Sequence, residues 1–425
     1  MSAPRCRLCS AELTHTFVDL GMSPPCETFL TADELDAGET FYPLHVRVCA
    51  ECLLVQLPAY IPPDEIFSHY AYFSSYSDSW VRHAGAFVAT AAERLGLDAD
   101  SFVVEVASND GYLLRHVAER GVRCLGIEPA ANVAEAAVAA GVPTEVTFLG
   151  RATGADVAAR HGRADLVVAN NVFAHVPDIV DFTAGLRELL ADDGTLTIEI
   201  PHLLRLIEGR AYDTIYHEHY SYVSLLTTQR VLATAGLTVV DVEELPSHGG
   251  SLRTWSTPTE HAGEPSAAVA KVLADEEAAG LHTLEGHAGF AAEVARVRDH
   301  LVSFLVDCSR RGRSVAAYGA PGKGNTLLNH AGVKRDQISF AVDRNPFKHG
   351  RFLPGTHIPV HDVDRLAAER PDYVVVMPWN LRAEISAQLS YVADWGGQLV
   401  VFVPDLEIFP PTVPDRAAAD GEVAP

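Results

Sequence analysis

The segment YHEHYSY, residues 216–222, concentrates two histidines, one glutamate and three tyrosines. These side chains could bind a metal, pack in a core, or supply the acid and base of an active site. A helical metal site is disfavoured because His217 and His219 lack the His-x-x-x-His spacing that places two ligands on one face. On a regular strand, Tyr216 and Glu218 would share one face while His219 pointed to the other. Convergence of Tyr216, Glu218 and His219 therefore requires a loop or a short turn, which we predict here.

Four of the seven cysteines form two C-x-x-C pairs, CRLC and CAEC. Each pair offers two thiolates to one side of a tetrahedral ion, so the pattern predicts a structural zinc site. The predicted ligands are Cys6, Cys9, Cys49 and Cys52. Reduced structural cysteines or a redox pair are the alternative, because the two pairs are further apart than in common zinc ribbons. We expect a zinc-binding module over residues 1–70, and we expect the other three cysteines to behave as small hydrophobic residues.

The composition is that of a soluble globular protein with two or three domains, since 48% of the 425 residues are hydrophobic and 21% are charged. The formal net charge of −24 argues against nucleic-acid binding, which needs clustered Lys and Arg. The N-terminus lacks an apolar signal core, and no uncharged apolar run of about 18 residues occurs. We therefore expect a cytoplasmic protein with no membrane partner, and the odd number of cysteines fits a reducing compartment.

Helix-like and strand-like segments alternate along most of the chain. WVRHAGAFVATAAERLGL has helical spacing, and SFVVEVAS, VRCLGIEPA and ADLVVANN have the apolar character of buried strands, so a doubly wound parallel sheet is predicted within residues 71–295. Residues 263–311 are predicted to be a helical connector. A second, smaller alternation starts at SVAAYGAPGKG and predicts a Rossmann-like α/β domain over residues 296–410. The tail, residues 411–425, is rich in Pro, Ala and acids and is expected to be disordered.

The stretch VVEVASNDGYLLRHV reads as a strand, a tight turn and a helix. Gly111 is expected to open the helix, where backbone N–H groups can meet a carboxylate. Ala107 is small enough for a ligand to approach the backbone, and Asn109 tolerates a left-handed conformation. The next strand ends in Glu128, 23 residues after Glu105, and an acid there suits the two hydroxyls of a ribose.

The ligand of this turn is either a dinucleotide or S-adenosylmethionine, with an unliganded βα turn as the remaining alternative. The dinucleotide fingerprint G-x-G-x-x-G is absent. The pattern acid-x-Ala-x-Asn-x-Gly resembles instead the first motif of class I methyltransferases, although Ala107 and Asn109 fill its first two glycine positions. The resemblance implies S-adenosylmethionine. The expected cofactor-binding residues are Glu105, Ala107, Asn109, Gly111, Tyr112, Glu128, Pro129, Asn170 and Asn171.

The second α/β half contains a glycine-rich turn, AYGAPGKGN, that carries Lys323. Backbone N–H groups and one lysine can bind a phosphate, and DRNPFKHG adds Arg344, Lys348 and His349. Two phosphates of a nucleoside diphosphate would suit these groups in a chain that is otherwise acidic. A degenerate Rossmann unit with solvated surface charges is the alternative.

Taken together, these motifs resemble one family over nearly the whole chain, the nucleotide-sugar C-methyltransferases of deoxysugar biosynthesis. The resemblance depends on the motifs CRLC…CAEC, YAYFSSYSDSW, EVASNDGYLL, NNVFAHVPD, DTIYHEHYSYVSL, HGGSLR, AYGAPGKGNTLLN and MPWN. It implies a zinc module, then an S-adenosylmethionine domain, then a C-terminal domain that binds a TDP-linked 4-keto deoxysugar. From the acidic composition we expect no nucleic-acid partner, and we expect a monomer.

The resemblance also implies roles for individual residues. Tyr216, Glu218 and His219 would lie in the active site, with His219 as the base, together with His175 and a tyrosine of the early aromatic stretch, for which Tyr70 is preferred. The implied substrate-binding residues are Tyr72, Lys323, Asn325, Asn329, Arg344, Lys348, Trp379 and Asn380. A neutral-range imidazole suits a base that removes the proton beside a sugar ketone to give an enolate. C-3 and C-5 both flank a C-4 ketone, and C-3 is favoured.

Three rival hypotheses remain open at this point. The chain could be an RNA or protein methyltransferase with a zinc recognition module, although its negative charge speaks against RNA. It could be a nucleotide-sugar oxidoreductase that binds NAD in the C-terminal half. It could also be a binding protein that keeps a methyltransferase fold without the chemistry.

Overall fold

The computed structural model describes residues 4–67 and 73–412. Tyr70, Tyr72 and the tail from residue 413 onward lie outside the described residues. The strands are β1 His15–Ser23, β2 Tyr42–Val48, β3 Val55–Gln56, β4 Phe102–Val106, β5 Arg123–Ile127, β6 Thr144–Glu145, β7 Ala164–Asn170, β8 Leu190–Pro201, β9 Ser221–Tyr222, β10 Leu237–Leu245, β11 Ser251–Pro258, β12 Val315–Tyr318, β13 Ala341–Val342, β14 Val360–His361, β15 Tyr373–Val376, β16 Gln398–Val401 and β17 Glu407–Phe409.

The α-helices are α1 Pro63–Phe67, α2 Asp78–Leu95, α3 Leu114–Ala118, α4 Ala131–Ala139, α5 Arg151–His161, α6 Ile179–Leu189, α7 Leu203–Glu208, α8 Leu225–Ala233, α9 Ala267–Ala278, α10 Phe290–Arg310, α11 Gly322–His330, α12 Arg365–Glu369 and α13 Arg382–Gln388. Within the described part of the chain, no helix combines the length and the apolar character that a membrane crossing requires.

The chain forms two compact units, and each is discontinuous in sequence. The first unit contains Met1–Phe17, Val46–Leu206 and Glu218–Ala288, and the second contains Val18–His45, Ile207–His217 and Gly289–Pro425. The domain bounds at residues 70, 295 and 410 stay a prediction. Sequence periodicity can divide a chain only into continuous segments.

A seven-stranded sheet of order β10-β11-β8-β7-β4-β5-β6 dominates the first unit. The pairs β4–β5, β4–β7, β5–β6 and β7–β8 are parallel, and β11 is antiparallel to both β8 and β10. The predicted doubly wound sheet is confirmed, with β11 as an antiparallel strand that the periodicity did not reveal. The strand order reverses between β4 and β7, and ligands bind at the carboxyl ends of strands at such a switch point.

Helix α2 shows why one of these elements forms where it does. The Ser77 side chain accepts a hydrogen bond from the Trp80 N–H at 3.4 Å and caps the N-terminus, and Gly96, with φ of 65°, ends the helix. The buried face carries Ala84, Phe87, Val88 and Ala91 at helical spacing. This face packs in the core cluster that also contains Val103 of β4.

The second unit contains a six-stranded sheet of order β14-β13-β12-β15-β16-β17. Its strands are parallel except for the edge strand β17, which pairs antiparallel with β16. The predicted Rossmann-like α/β domain is therefore confirmed as a fold, and its order reverses between β12 and β15. The three lone cysteines, Cys26, Cys124 and Cys308, are buried, as expected for small hydrophobic residues.

Candidate active site

The four predicted zinc ligands lie together in the first unit. The sulfur atoms of Cys6, Cys9, Cys49 and Cys52 lie within 4.8 Å of one another, with Cys6–Cys52 and Cys9–Cys49 separations of 3.4 Å. Tetrahedral coordination with Zn–S bonds of about 2.3 Å requires sulfur separations of this size. The Gln56 side-chain amide donates to the Cys6 sulfur at 3.1 Å, which is the kind of outer hydrogen bond that orients a thiolate ligand. The donor set and its geometry fit a structural Zn²⁺.

The turn after β4 is built from left-handed backbone. Ala107, Asn109 and Gly111 have φ angles of 55°, 49° and 76°. The conformation of Asn109 was expected, whereas that of Ala107 is unusual for a residue with a Cβ, and such strain is concentrated at functional sites. The expectation that Gly111 opens the helix is wrong, because α3 begins at Leu114 and Gly111 belongs to the turn. A side chain at Gly111 would also meet Val142 at 2.9 Å.

Two buried carboxyl groups flank this turn. The Glu128 carboxylate accepts hydrogen bonds from the N–H groups of Asn109 and Ala130, each at 2.9 Å, and burial raises its pKa. Burial raises the pKa of Glu105 well above its ordinary value, and the nearby Glu128 and Asp110 add to the rise. A carboxylate fixed by two backbone N–H groups keeps further lone pairs that could accept from hydroxyls, and contact of Glu128 with a ribose stays a prediction.

The two asparagines at the end of β7 lie in the position expected for cofactor contacts. Among the described residues, the Oδ1 atom of Asn170 and both side-chain polar atoms of Asn171 are buried without a hydrogen-bond partner. Asn171 also has a left-handed backbone, with φ of 53°, and its N–H donates to the Glu199 carbonyl at 2.7 Å. Buried polar atoms are nearly always satisfied, so these orphan groups fit a polar ligand such as the amino-acid end of S-adenosylmethionine.

A segment that sequence reasoning did not assign to the cofactor turn is bonded to it. The Ser74 N–H donates to the Asn109 side chain at 2.8 Å, and the Ser75 N–H donates to Asp110 at 3.1 Å. The indole of Trp80 stacks on Tyr112 with ring centroids 6.3 Å apart. The motif YAYFSSYSDSW indicated that this segment matters. It did not indicate that backbone N–H groups of the segment would make the contacts.

The two predicted active-site histidines meet at the carboxyl edge of the seven-stranded sheet. His175 ends a 3-10 helix, Phe173–His175, that follows β7, and His219 follows a turn at residues 216–218. The Tyr220 N–H donates to the Ala174 carbonyl at 2.7 Å and joins the two segments. The imidazole centroids are 4.6 Å apart at an interplanar angle of 72°. The predicted turn in this segment is confirmed.

Burial changes the pKa of one histidine of this pair, His175. Burial lowers the pKa of His175 to about 4. A hydrogen bond with the Glu218 backbone favours the charged form, but it offsets the effect of burial only in part. His175 is therefore neutral at physiological pH and retains one N–H donor. The neighbouring aromatic groups are Phe67, 5.5 Å from the His175 ring, and Tyr222, 6.3 Å from the His219 ring. Glu218 is buried and Tyr216 is half-buried.

In the second unit, three predicted substrate residues gather around an acid. The Lys323 ammonium donates to the Asn380 side chain at 2.5 Å and lies 5.1 Å from the centroid of the Trp379 ring. The indole N–H of Trp379 donates to Asp213 at 2.7 Å. Burial raises the pKa of Asp213 to about 6, and burial also lowers the pKa of Lys323. Sequence reasoning missed Asp213, although it begins the quoted motif DTIYHEHYSYVSL.

The other predicted substrate residues bond mainly to backbone carbonyls of the second unit. The Asn325 amide donates to the Cys26 carbonyl at 2.6 Å, and the Asn329 amide donates to the Asn325 and Pro354 carbonyls. The Lys348 ammonium donates to the Ala320 carbonyl at 2.8 Å and has Glu27 at 3.7 Å. Arg344 is exposed. Contact of these four residues with a substrate stays a prediction.

Family models match successive parts of the chain. A "Putative zinc binding domain" covers residues 6–67, a "Methyltransferase domain" covers residues 80–242, and a "C-methyltransferase C-terminal domain" covers residues 246–404. The chain is 36% identical over 400 residues to C-methyltransferase NovU from Streptomyces niveus, covering 94% of this chain and 95% of that protein. The chain belongs to the C-methyltransferase family. It is a methyltransferase that uses S-adenosylmethionine and has a zinc-binding module, so the oxidoreductase hypothesis is wrong.

Solved structures of other methyltransferases resemble part of the chain only loosely. A methyltransferase from Anabaena variabilis that depends on S-adenosylmethionine is 13% identical, with a TM-score of 0.35 over 41% of this chain and 84% of that one. One from Clostridium acetobutylicum is 9% identical, with a TM-score of 0.35 over 43% of this chain and 92% of that one.

Proposed function

We propose that this C-methyltransferase methylates a TDP-4-keto-6-deoxy sugar at the carbon next to the ketone, with C-3 favoured over C-5, in cytoplasmic deoxysugar biosynthesis. The observation that carries the proposal is the edge-to-face pair of His175 and His219 beside the cofactor strand β7. Carbon is a poor nucleophile, so C-methylation needs a C–H bond acidified by a neighbouring carbonyl and a base placed to remove its proton. A 4-keto sugar supplies the first of these and His219 supplies the second.

In this proposal His219 takes the proton from the ring carbon, and the C–H electron pair moves into the carbonyl to give an enolate. Bound S-adenosylmethionine supplies an electrophilic methyl group on a sulfonium centre. The enolate carbon forms the new C–C bond as the methyl–sulfur bond breaks, and the proton remains on His219 until it leaves to solvent. Positioned proton transfer of this kind contributes about 10²–10⁴-fold to a rate.

The two histidines are proposed to have different roles. His219 is half-buried, and a neutral imidazole carries a ring nitrogen lone pair that can accept a proton. His175 is held neutral by burial, so its N–H can donate to the developing enolate oxygen without itself losing a proton. Tyr216 and Tyr70 are the further donors proposed for this oxygen or the sugar.

The second unit is proposed to bind the TDP portion. Lys323 carries the charge for a phosphate, and Asn380 and Trp379 lie against its ammonium group. Tyr72, Asn325, Asn329, Arg344 and Lys348 complete the proposed substrate-binding set. The excess of acidic residues over the whole chain supports a small ligand held by a local cation rather than RNA.

The test is incubation with S-adenosylmethionine labelled in its methyl group and a panel of TDP-4-keto-6-deoxy sugars. The expected product carries the label on ring C-3, and labelling of C-5 would leave the enolate chemistry in place while correcting the position. NMR of the isolated product assigns the carbon. Label transferred to RNA, or to no sugar of the panel, would overturn the proposed substrate.

A further inference from the structure

The zinc module contains an arginine that reaches the neighbourhood of the active-site histidines. Arg7 directly follows the zinc ligand Cys6 and is half-buried. Its backbone N–H donates to the Gln56 side-chain oxygen at 3.0 Å, and the same Gln56 side chain donates to the Cys6 sulfur at 3.1 Å. The base of the Arg7 side chain is therefore fixed directly to the zinc-binding loop.

The guanidinium of Arg7 contacts three separate segments at once. One nitrogen donates to the Leu57 carbonyl and another donates to the Val176 carbonyl at 3.4 Å. The guanidinium carbon lies 5.5 Å from the centroid of the Tyr220 ring. Val176 follows His175 in the sequence, and Tyr220 follows His219. Each active-site histidine is thus one residue away from a contact of Arg7.

The same three segments are joined to one another by backbone hydrogen bonds. The Leu57 N–H donates to the Tyr220 carbonyl at 3.0 Å, and the Tyr220 N–H donates to the Ala174 carbonyl at 2.7 Å. The Tyr220 hydroxyl donates to the Ile61 carbonyl at 2.9 Å. A planar guanidinium with a fixed fork of donors can hold two carbonyls at a set separation, which a lysine ammonium cannot do in the same way.

We propose that Arg7 is a positioning residue that holds the His175 and His219 rings at their working separation, so that the zinc module helps to order the methyl-transfer site. The consequence for rate rests on the proposed function, because it assumes that these histidines act on the substrate. The predicted change in the distance between the two rings does not depend on the proposed function. A misplacement of about 1 Å in a reacting group can cost about 10²-fold in rate, so even a small shift of either ring would be measurable.

The test compares Arg7→Met with Arg5→Met in the full-length protein loaded with zinc. Arg5 precedes Cys6 by one position, is exposed, and its side chain donates to the Ser10 carbonyl. Selective labelling of histidine rings allows an NMR nuclear Overhauser effect to be recorded between the His175 and His219 rings, which lie 4.6 Å apart. Zinc content, the Kd of S-adenosylmethionine and kcat are measured on the same samples.

The expected result for Arg7→Met is one zinc per chain, an unchanged cofactor Kd, a weakened or absent ring-to-ring signal, and a kcat lowered by about 10- to 100-fold. Arg5→Met should keep both the signal and the kcat. An unchanged signal and kcat in zinc-loaded Arg7→Met would overturn the proposal. If Arg7→Met loses zinc, Arg7→Lys replaces it, and an Arg7→Lys protein with the wild-type signal would overturn the proposal equally.

The ring-to-ring signal keeps this test separate from the test of the sugar substrate. If the wild-type enzyme methylates no sugar of the panel, the proposed function fails, while the NMR comparison of the two arginine variants still decides whether Arg7 positions the histidines.

Discussion

The rings of His175 and His219 lie edge to face with centroids 4.6 Å apart, although 43 residues separate them in the chain. The backbone hydrogen bond from Tyr220 to Ala174 creates this proximity. The edge of one imidazole points at the face of the other. This arrangement suits the proposed mechanism, in which one ring removes a proton from a carbon acid and the other stabilises the resulting oxyanion.

Replacing the proposed base should remove turnover but leave cofactor binding intact. We expect His219→Asn to lower kcat by about 10²–10⁴-fold, the range that a positioned proton transfer contributes. The Kd of S-adenosylmethionine, measured by calorimetry, should not change, because the predicted cofactor contacts come from the turns after β4, β5 and β7. His161→Asn replaces a half-buried histidine that pairs with Glu145 and serves as the control. Wild-type turnover by His219→Asn would refute its role as the base.

Glu128 should control cofactor affinity through its charge. In Glu128→Gln one side-chain oxygen becomes an NH₂ group, so one of the two backbone hydrogen bonds is lost, and the predicted ribose hydroxyls no longer meet a charged acceptor. Loss of a charged acceptor costs about 1.5–3 kcal/mol, so we expect about 10- to 100-fold weaker S-adenosylmethionine binding. Glu145→Gln, whose side chain pairs with Arg160, is the control and should bind normally. Equal affinity of the two variants would contradict the assignment.

Zinc should be required for the fold of the first unit. A ligand variant, Cys49→Ser, is expected to lose the metal and to unfold at a lower temperature, because binding energy at a structural zinc site is folding energy. Elemental analysis and a thermal melt provide the two measurements. Cys308→Ala removes a buried cysteine from another part of the chain and should keep one zinc per chain. Full zinc content in Cys49→Ser would exclude this four-cysteine site.

Asp213 should make the protein less stable as the pH rises towards neutrality. Burial raises its pKa from 3.8 to about 6, so its contribution is fully present below about pH 4 and is lost as the pH rises through 6. The full difference corresponds to about 3 kcal/mol in the free energy of unfolding, of which roughly 1 kcal/mol is lost between pH 5 and pH 7. We expect Asp213→Asn to lack this loss in denaturant titrations at pH 5 and pH 7.

The control for this pH effect is an aspartate with the opposite shift. A hydrogen bond from the Ser314 N–H lowers the pKa of Asp372, and Arg313 pairs with it. Asp372→Asn should therefore keep the loss of stability between pH 5 and pH 7 that the wild type shows. If Asp213→Asn shows the same loss as the wild type, Asp213 is not the group that titrates there.

Local patterns in the sequence predicted the parts of the structure that local chemistry determines. The C-x-x-C pairs predicted a four-cysteine cluster because each pair is preorganised by its own turn. The βαβ pattern predicted the sheet, and the left-handed tolerance of asparagine predicted the backbone at Asn109. The position of Glu128 beside the cofactor turn followed from the length of a strand–helix–strand unit.

Contacts between distant segments could not be predicted from the same patterns. Asp213 meets Trp379 across 166 residues, and no periodicity in either segment indicates that contact. Arg7 reaches Val176 across 169 residues for the same reason. Each of the two units is made of separate chain segments, and β11 pairs antiparallel with β8. Both features depend on long-range pairing, which local patterns in a single sequence do not reveal.

The most direct test of the central claim uses a TDP-4-keto-6-deoxy sugar that carries deuterium on both carbons next to the ketone. Mass spectrometry of the product formed with S-adenosylmethionine counts methyl groups gained and deuterium atoms lost, against a control without enzyme. The account predicts one methyl group gained and one deuterium lost in each product molecule, because the new C–C bond replaces a C–H bond beside the ketone. A methylated product that keeps every deuterium would contradict it.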